Sequence, residues 1–139
     1  MSLDIDEILH ALENDKNEDM LDMDYETFHK MKNDALQRLL LPRDTLKKYI
    51  KSLKYYRYID ELPELHMGSY IRWVNLINPE NIKLTNGGVV CGIKINDDVI
   101  ILCRNKLNHM FQLNFSSCII FQKLTDQENV ILSALKFIQ

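Results

Sequence analysis

The sequence predicts an α+β protein in which helices come first, a small antiparallel sheet follows, and a last helix closes the chain. Two observations lead to this fold class. Apolar residues recur at helical spacing up to about residue 62 and again after residue 125. Between Gly68 and Leu124, short runs of β-branched and aromatic residues alternate instead with turn residues.

The composition agrees with one folded domain and an extension. The chain has 139 residues, of which 46% are hydrophobic and 27% are charged, near the averages of globular proteins. No apolar run approaches the roughly 20 residues of a membrane span, and the N-terminus is acidic where a signal peptide would be basic. Three cysteines without a CxxC pair suit a reducing compartment. We therefore expect a soluble, intracellular protein.

Charge divides the chain into two parts. Residues 1–34 hold 11 acidic and 3 basic residues, whereas residues 35–139 hold 9 acidic and 14 basic residues. Half of those 14 cations lie between Arg38 and Arg57. This asymmetry indicates either an anionic partner for the basic part or an acidic arm that covers it. We predict an acidic helical arm at residues 1–43 and a β-domain with a basic helix at residues 44–139.

Two helices are predicted in the acidic arm. Asp4 and Glu7 fit an N-cap and its reciprocal partner at the start of a helix over residues 4–14. The polar run at residues 14–22 indicates a linker. A second helix with an apolar stripe follows, and Pro42 is placed to end it.

A third helix is predicted from about Asp44 to Leu62, where Pro63 ends it. Its apolar positions share one side and its lysines share the other. Such an amphipathic helix has little stability alone and needs a surface to pack on. We expect the β-domain to provide that surface.

Five or six short strands are predicted in the β-domain. The runs that carry them are SYIRWVNLI, IKLT, VVCGIKI, VIILCR, HMFQLNF and CIIFQKL. The turn at residues 86–88 is expected to join IKLT and VVCGIKI as a hairpin. Short antiparallel strands of this kind form a small closed barrel, SH3-like or OB-like, or a bent open sheet. A capping box at Thr125 and Glu128 then begins the C-terminal helix.

No catalytic motif and no cofactor or metal site is predicted. The sequence has no GxSxG, no glycine-rich phosphate loop and no HExxH. A three-residue loop at residues 96–98 would place Cys91 opposite Cys103. With His109 and Cys118 these residues lack the close ligand pairs of structural zinc sites, so buried, reduced cysteines are expected. We therefore expect a non-enzymatic protein.

The basic, tyrosine-rich third helix is the predicted nucleic-acid surface. Its lysines would neutralise phosphates while its tyrosines stack on bases. In the alternative, the lysines are only solvated and the tyrosines lie half-buried at the core edge. If Trp73 faces the core, as its neighbours Ile71 and Ile77 favour, Arg72 on the same strand is exposed beside Tyr70. The candidate nucleic-acid-binding residues are Lys47, Lys48, Lys51, Lys54, Tyr55, Arg57, Tyr58 and Arg72.

The acidic arm gives the alternative function. Its apolar residues Ile5, Leu9 and Leu12 either dock on the arm's own domain or contact a partner protein or a second copy. In the second case the protein is a protein–protein adaptor or a structural component of a virion.

Four stretches carry a resemblance to a known group of proteins: YYRYIDEL at residues 55–62, GSYIRWVNL at 68–76, LTNGG at 84–88 and IIFQKLTDQE at 119–128. With the Asn-, Ile- and Lys-rich usage of AT-rich genomes, they resemble small uncharacterised proteins encoded by large eukaryotic double-stranded DNA viruses. The resemblance covers about residues 50–138 and leaves out the acidic arm. It implies an intracellular product of infected cells, in the host cytoplasm or the virion, and no catalytic residue.

Overall fold

A computed structural model describes residues 4–14, 17 and 25–138. In these ranges four helices and six strands form an α+β structure, which confirms the predicted class. The helices are α1 (Ile5–Glu13), α2 (Tyr25–Gln37), α3 (Arg43–Ser52) and α4 (Asp126–Ile138). The strands are β1 (Tyr56–Ile59), β2 (Tyr70–Asn75), β3 (Gly88–Ile95), β4 (Val99–Arg104), β5 (Met110–Asn114) and β6 (Cys118–Lys123).

The two helices predicted in the arm are confirmed. Asp4 caps α1, because its carboxylate accepts hydrogen bonds from the backbone N–H groups of Asp6 (2.9 Å) and Glu7 (3.4 Å). α2 ends ahead of Pro42, as predicted. Apart from its residues 14 and 17, the predicted linker lies outside the described residues.

The prediction of one helix over residues 44–62 is wrong in its second half. α3 ends at Ser52, and strand β1 begins at Tyr56. Tyrosine and isoleucine favour a strand over a helix when a neighbouring strand is available. Burial then alternates along β1, with Arg57 and Ile59 buried and the two tyrosines half-buried on the other face.

A buried lysine of α2 holds the turn between α3 and β1. The Nζ atom of Lys32 donates to the carbonyl oxygens of Leu53 at 3.0 Å and Lys54 at 3.4 Å. These carbonyls follow the end of α3, where the helix itself provides no donors. Lys32 is only 3% exposed, and burial lowers its pKa to about 8.

The six strands form one antiparallel sheet in the order β1-β6-β2-β3-β4-β5. β6, which comes last along the chain, lies between β1 and β2 and pairs with both. β1 and β5 each have a single neighbour among the described strands, so the sheet does not close. Of the two predicted forms, the structure therefore has the open sheet.

The open sheet is strongly curled. Neighbouring strands lie about 4.8 Å apart, so three strand spacings would separate β2 from β5 by about 14 Å in a flat sheet. The rings of Trp73 on β2 and Phe111 on β5 nevertheless have centroids only 6.4 Å apart. A bulge in β3, where the register shifts between Val90 and Gly92, adds to the bend.

The predicted hairpin of IKLT and VVCGIKI is wrong. Among residues 82–85, the only pairing of the strand type is an isolated bridge from Leu84 to Val74. β3 pairs instead with the start of β2 and along the whole of β4. Residues 84–85 lie instead beside β2, where Leu84 bridges Val74 and the Thr85 N–H donates to the Trp73 carbonyl.

Apolar side chains pack on both faces of the sheet. On the concave face, Ile71, Trp73 and Ile120 meet residues of β3, β4 and β5. On the other face, Val74 and Phe121 pack with residues of α2 and α3. Trp73 is 7% exposed, so its predicted position in the core is confirmed.

The predicted capping box starts α4. The backbone N–H of Glu128 donates to the Thr125 hydroxyl at 3.1 Å, and the backbone N–H of Thr125 donates to the Glu128 carboxylate at 2.9 Å. α1 packs along α4, where the side-chain amide of Asn14 donates to Gln127 at 2.6 Å. The arm is thereby attached to the end of the chain.

Candidate nucleic-acid interface

A cleft of about 880 Å³ opens between β2 and the turn that joins β4 to β5. We call it the sheet cleft. Its lining residues come from both ends of the β-domain: Tyr56, Tyr70, Arg72, Trp73, Thr85, Asn86, Gly87, Asn105, Lys106, Leu107, Phe111 and Lys123.

Three cations line the sheet cleft, and none of its described lining residues is an aspartate or glutamate. Lys106 and Lys123 are exposed, so their ammonium groups can reach a ligand. Arg72 is half-buried, and its Nε atom donates to the Thr85 carbonyl at 2.8 Å. That hydrogen bond fixes the guanidinium direction. The cleft is therefore positively charged along its described surface.

Four aromatic side chains share the same cleft. Phe111 is exposed, whereas Tyr56 and Tyr70 are half-buried and Trp73 is buried. Burial raises the pKa of Tyr56, and the nearby Arg72 guanidinium acts in the opposite direction. The Tyr56 phenol is accordingly neutral near pH 7. Rings beside cations give the cleft surfaces on which flat, electron-rich groups stack.

The local fold explains how these side chains meet. Tyr56 of β1 pairs directly with Lys123 of β6, and Tyr70 lies on the same face of β2 as Arg72. The connection before β3 forms one wall. Its Thr85 is bound to β2, since the backbone N–H of Thr85 donates to the Trp73 carbonyl at 3.0 Å.

The structure separates the residues predicted from the sequence to form one surface. Arg72 alone of them lines the sheet cleft. Lys47, Lys48 and Lys51 are exposed on α3, which is convex and holds no aromatic partner for them among the recorded ring contacts of the described residues. The predicted residues therefore do not form one binding surface on a single helix.

The other predicted residues follow α3. Lys54 and Tyr55 are exposed in the turn, with the Lys54 Nζ atom 5.4 Å from the Tyr55 ring centroid. Tyr58 is half-buried on β1, where its ring lies against Phe121 with the centroids 6.1 Å apart. Tyr58 therefore belongs to the core edge, which is the alternative that the sequence left open.

Arg57 lies inside the protein with 1% of its side chain exposed. Its guanidinium bonds to the Glu64 carboxylate at 2.5 Å and lies 3.6 Å from the Glu128 carboxylate. Since β1 is a strand, Arg57 points to the face opposite its tyrosine neighbours and meets the start of α4. This ion-pair network holds β1, the turn at residues 62–64 and α4 together, so Arg57 is no part of an accessible surface.

Sequence reasoning missed most of the sheet cleft. Tyr56 and Lys123 enter it only because β1 is a strand that pairs with β6. Lys106 and Phe111 enter it because the sheet curls, a property that no local pattern reports. The detectable signal was the alternation that sets Tyr70 beside Arg72 on β2.

The cysteines and the helices give no sign of other chemistry in the described part of the chain. The bulge in β3 places Val90, in place of Cys91, opposite Cys103. Within residues 4–14, 17 and 25–138 there is no group of three or more side chains arranged to hold a metal ion. No helix in those ranges is long and apolar enough to cross a membrane.

Comparison of the chain with protein-family models, curated proteins and solved structures found no match. Function is therefore inferred from the residues of the sheet cleft and their geometry.

Proposed function

We propose that the protein is a non-enzymatic binding module that holds single-stranded nucleic acid in the sheet cleft. One observation carries the proposal. Three cations and four aromatic residues line one cleft, with Tyr70 and Arg72 from one face of β2 and Trp73 from the other, and its described lining residues include no carboxylate. Positive grooves with aromatic rings are the usual way in which proteins bind a single strand.

Each part of a nucleotide has a counterpart in the cleft. Lys106 and Lys123 are placed for phosphates, and each contact of this kind releases counterions from the strand. Phe111 and Tyr56 offer ring faces or edges for bases. A duplex would fit less well, because its bases are already stacked on one another and offer no free faces.

An SH3-like or OB-like fold is the finer assignment that accompanies this proposal. Six short antiparallel strands and their strong curl support it. The proposed form is an opened variant, because β1 and β5 are not paired with each other in the described structure. From the sequence resemblance alone we likewise propose a viral origin, with a location in the host cytoplasm or the virion.

The test is a titration of labelled single-stranded and duplex DNA and RNA at roughly 50 and 200 mM salt. We expect salt-dependent binding of single strands. The double variant Lys106→Gln/Lys123→Gln should bind about tenfold more weakly at the lower salt, and its slope of log K against log salt should be smaller by about 1.4, since each phosphate contact on a single strand contributes about 0.7. The matched control is Lys47→Gln/Lys48→Gln, which removes the same charge from α3.

Three results would overturn the proposal. They are the absence of binding at the lower salt, binding that does not respond to salt, and an equal loss in both double variants. The last result would assign the binding to net charge and not to the cleft.

A second candidate function is that of a protein–protein adaptor or virion component, and α1 favours it. Although α1 packs on α4, Ile5 and Leu9 are 72% and 50% exposed. Light scattering of the full chain and of an Ile5→Gln/Leu9→Gln variant tests it. We expect assembly, or a co-purifying partner, only with the unchanged helix. If the unchanged chain is monomeric and purifies alone, this alternative is wrong.

A further inference from the structure

A second cleft lies between α2, α4 and the turn at residues 54–55. We call it the helix cleft; its volume is about 790 Å³. The two clefts share no lining residue. Ligand-binding pockets of small molecules have volumes of roughly 300–1,000 Å³, so the helix cleft has the size of a ligand site.

The floor of the helix cleft is apolar. Phe28, Leu124 and Leu132 are buried there and belong to the core between α2 and α4. Tyr55 and Phe137 form exposed sides, and Phe137 is 82% exposed. An exposed phenylalanine beside a buried apolar floor leaves a surface on which a hydrocarbon chain can be taken out of water.

Two lysines and a histidine lie around this apolar floor. Lys54, Lys136 and His29 line the cleft, and none of the described residues that line it is an aspartate or glutamate. The Nζ atom of Lys136 lies 5.7 Å from the ring centroid of Tyr25, so a ring face holds this cation at the cleft.

His29, in the same cleft, lies close to two lysine charges. Burial lowers the pKa of His29, and the charges of Lys32 and Lys136 lower it further. An anionic group beside Lys136 would offset that repulsion. The described lining of the helix cleft is therefore complementary to a molecule with an apolar body and one negative head.

We propose that the helix cleft binds a free long-chain fatty acid, with its hydrocarbon chain on the floor of Phe28 and Leu132 and its carboxylate beside Lys136 and Lys54. A bilayer surface is disfavoured as the occupant, because the apolar floor is recessed between two helices and a flat membrane would not reach it. A single chain enters such a concave site and leaves its head near the cations at the rim.

The test measures the binding of a fluorescent fatty acid to the full chain, below the concentration at which the acid forms micelles, and compares the acid with its methyl ester. We expect saturable binding of the acid and binding of the ester at least about tenfold weaker, since the ester lacks the charge that the lysines attract. Lys54→Gln/Lys136→Gln should reduce acid affinity to that of the ester. Lys47→Gln/Lys48→Gln, outside the cleft, should leave it unchanged.

A second variant blocks the cleft without changing its charge. Asn129→Trp places a large ring at the edge of the cleft, where Asn129 is half-buried, and should abolish binding of acid and ester alike. Circular dichroism of each variant tests whether it is folded.

Several results would overturn the proposal: no saturable binding, equal affinity for acid and ester, or binding that survives Asn129→Trp. Light scattering on the same samples covers the rival occupant. A dimer that Asn129→Trp dissociates and that the acid leaves intact would assign the cleft to a second copy of the chain. Because nucleic-acid binding is assigned to other residues, loss of either activity leaves the other measurable.

Discussion

Helix α3 and strand β1 are neighbours in the sequence with similar cations and tyrosines, yet they present them in opposite ways. α3 keeps Lys47, Lys48 and Lys51 in solvent, whereas β1 buries Arg57 and half-buries Tyr58. The two regions differ in period: a helix gathers residues three or four apart on one side, whereas a strand sends successive residues to opposite faces. A count of cations along the sequence therefore does not locate a binding surface.

The junction between the two regions determines the difference. The chain turns at Leu53, and Lys32 of α2 binds the carbonyl groups of that turn. Without the turn, residues 54–59 would extend α3 and would leave β6 without its outer neighbour.

Replacement of the buried cation of β1 should have the largest effect. Arg57→Met leaves the Glu128 carboxylate buried without its cation, and we expect the free energy of unfolding to fall by roughly 3–5 kcal/mol. Urea unfolding measures this change. In the double variant Arg57→Met/Glu128→Gln part of the loss should return. Equal stability of Arg57→Met and wild type would show that the network contributes nothing.

Removal of a ring from the sheet cleft should have the next largest effect. Phe111→Leu keeps an apolar residue but removes the stacking face, and we expect a loss of about 1–3 kcal/mol in the binding of a single strand. The salt dependence should stay unchanged, because no cation is removed. Fluorescence anisotropy with the labelled strand measures both quantities. Unchanged affinity would contradict the role of stacking.

The junction lysine should make stability depend on pH. The pKa of Lys32 is about 8 in the folded protein, below its ordinary value of 10.5. Between these values the unfolded chain binds more protons, so stability rises with pH. From about pH 7 to pH 9 Lys32 should contribute a rise of about 1 kcal/mol, measured as the difference between wild type and Lys32→Met. Urea unfolding at several pH values compares the two proteins.

The upper limit of that pH range is set by two thiols. Burial raises the pKa of Cys103 to about 12 and that of Cys118 to about 11. Above pH 9 the unfolded chain would lose these protons first, so both groups lower stability as pH increases. The same slope in wild type and in Lys32→Met below pH 9 would contradict the assignment to the lysine.

Replacement of an exposed lysine of α3 should have the smallest effect. Lys51→Met removes a cation from α3 by the same kind of change as Arg57→Met, and unfolding free energy should stay within about 0.5 kcal/mol of wild type. Thermal unfolding of the two single variants side by side makes the contrast direct. A large loss for Lys51→Met would mean that α3 is held by its charges.

Elements that depend on residues close together in the sequence were predicted correctly. The Asp4 cap, the capping box at Thr125 and the strands β2, β4, β5 and β6 depend on residues a few positions apart. The end of α3 depends instead on β6, which lies more than 60 positions later in the chain. Local patterns cannot report such a partner, so the helix was extended through residues that form β1.

The candidate site was predictable only in part, for the same reason. Arg72 and Tyr70 come from one strand, and their alternation placed them together. Lys106 and Phe111 join them through the curl of the sheet, to which the bulge near Cys91 contributes. That bulge also separated Cys91 from Cys103, which an unbroken register would have paired.

One residue of the sheet cleft limits how the cleft can change in evolution. Gly87 has a φ of 97°, and a Cβ atom there would lie 2.4 Å from the Ile71 carbonyl oxygen. In a library that varies every position, 87 should therefore accept glycine alone, both for its backbone conformation and for lack of space. Lys106 and Leu107, exposed on the opposite wall, carry no such restriction. Descendants of this protein with a new ligand preference should differ at those two positions while position 87 stays the same.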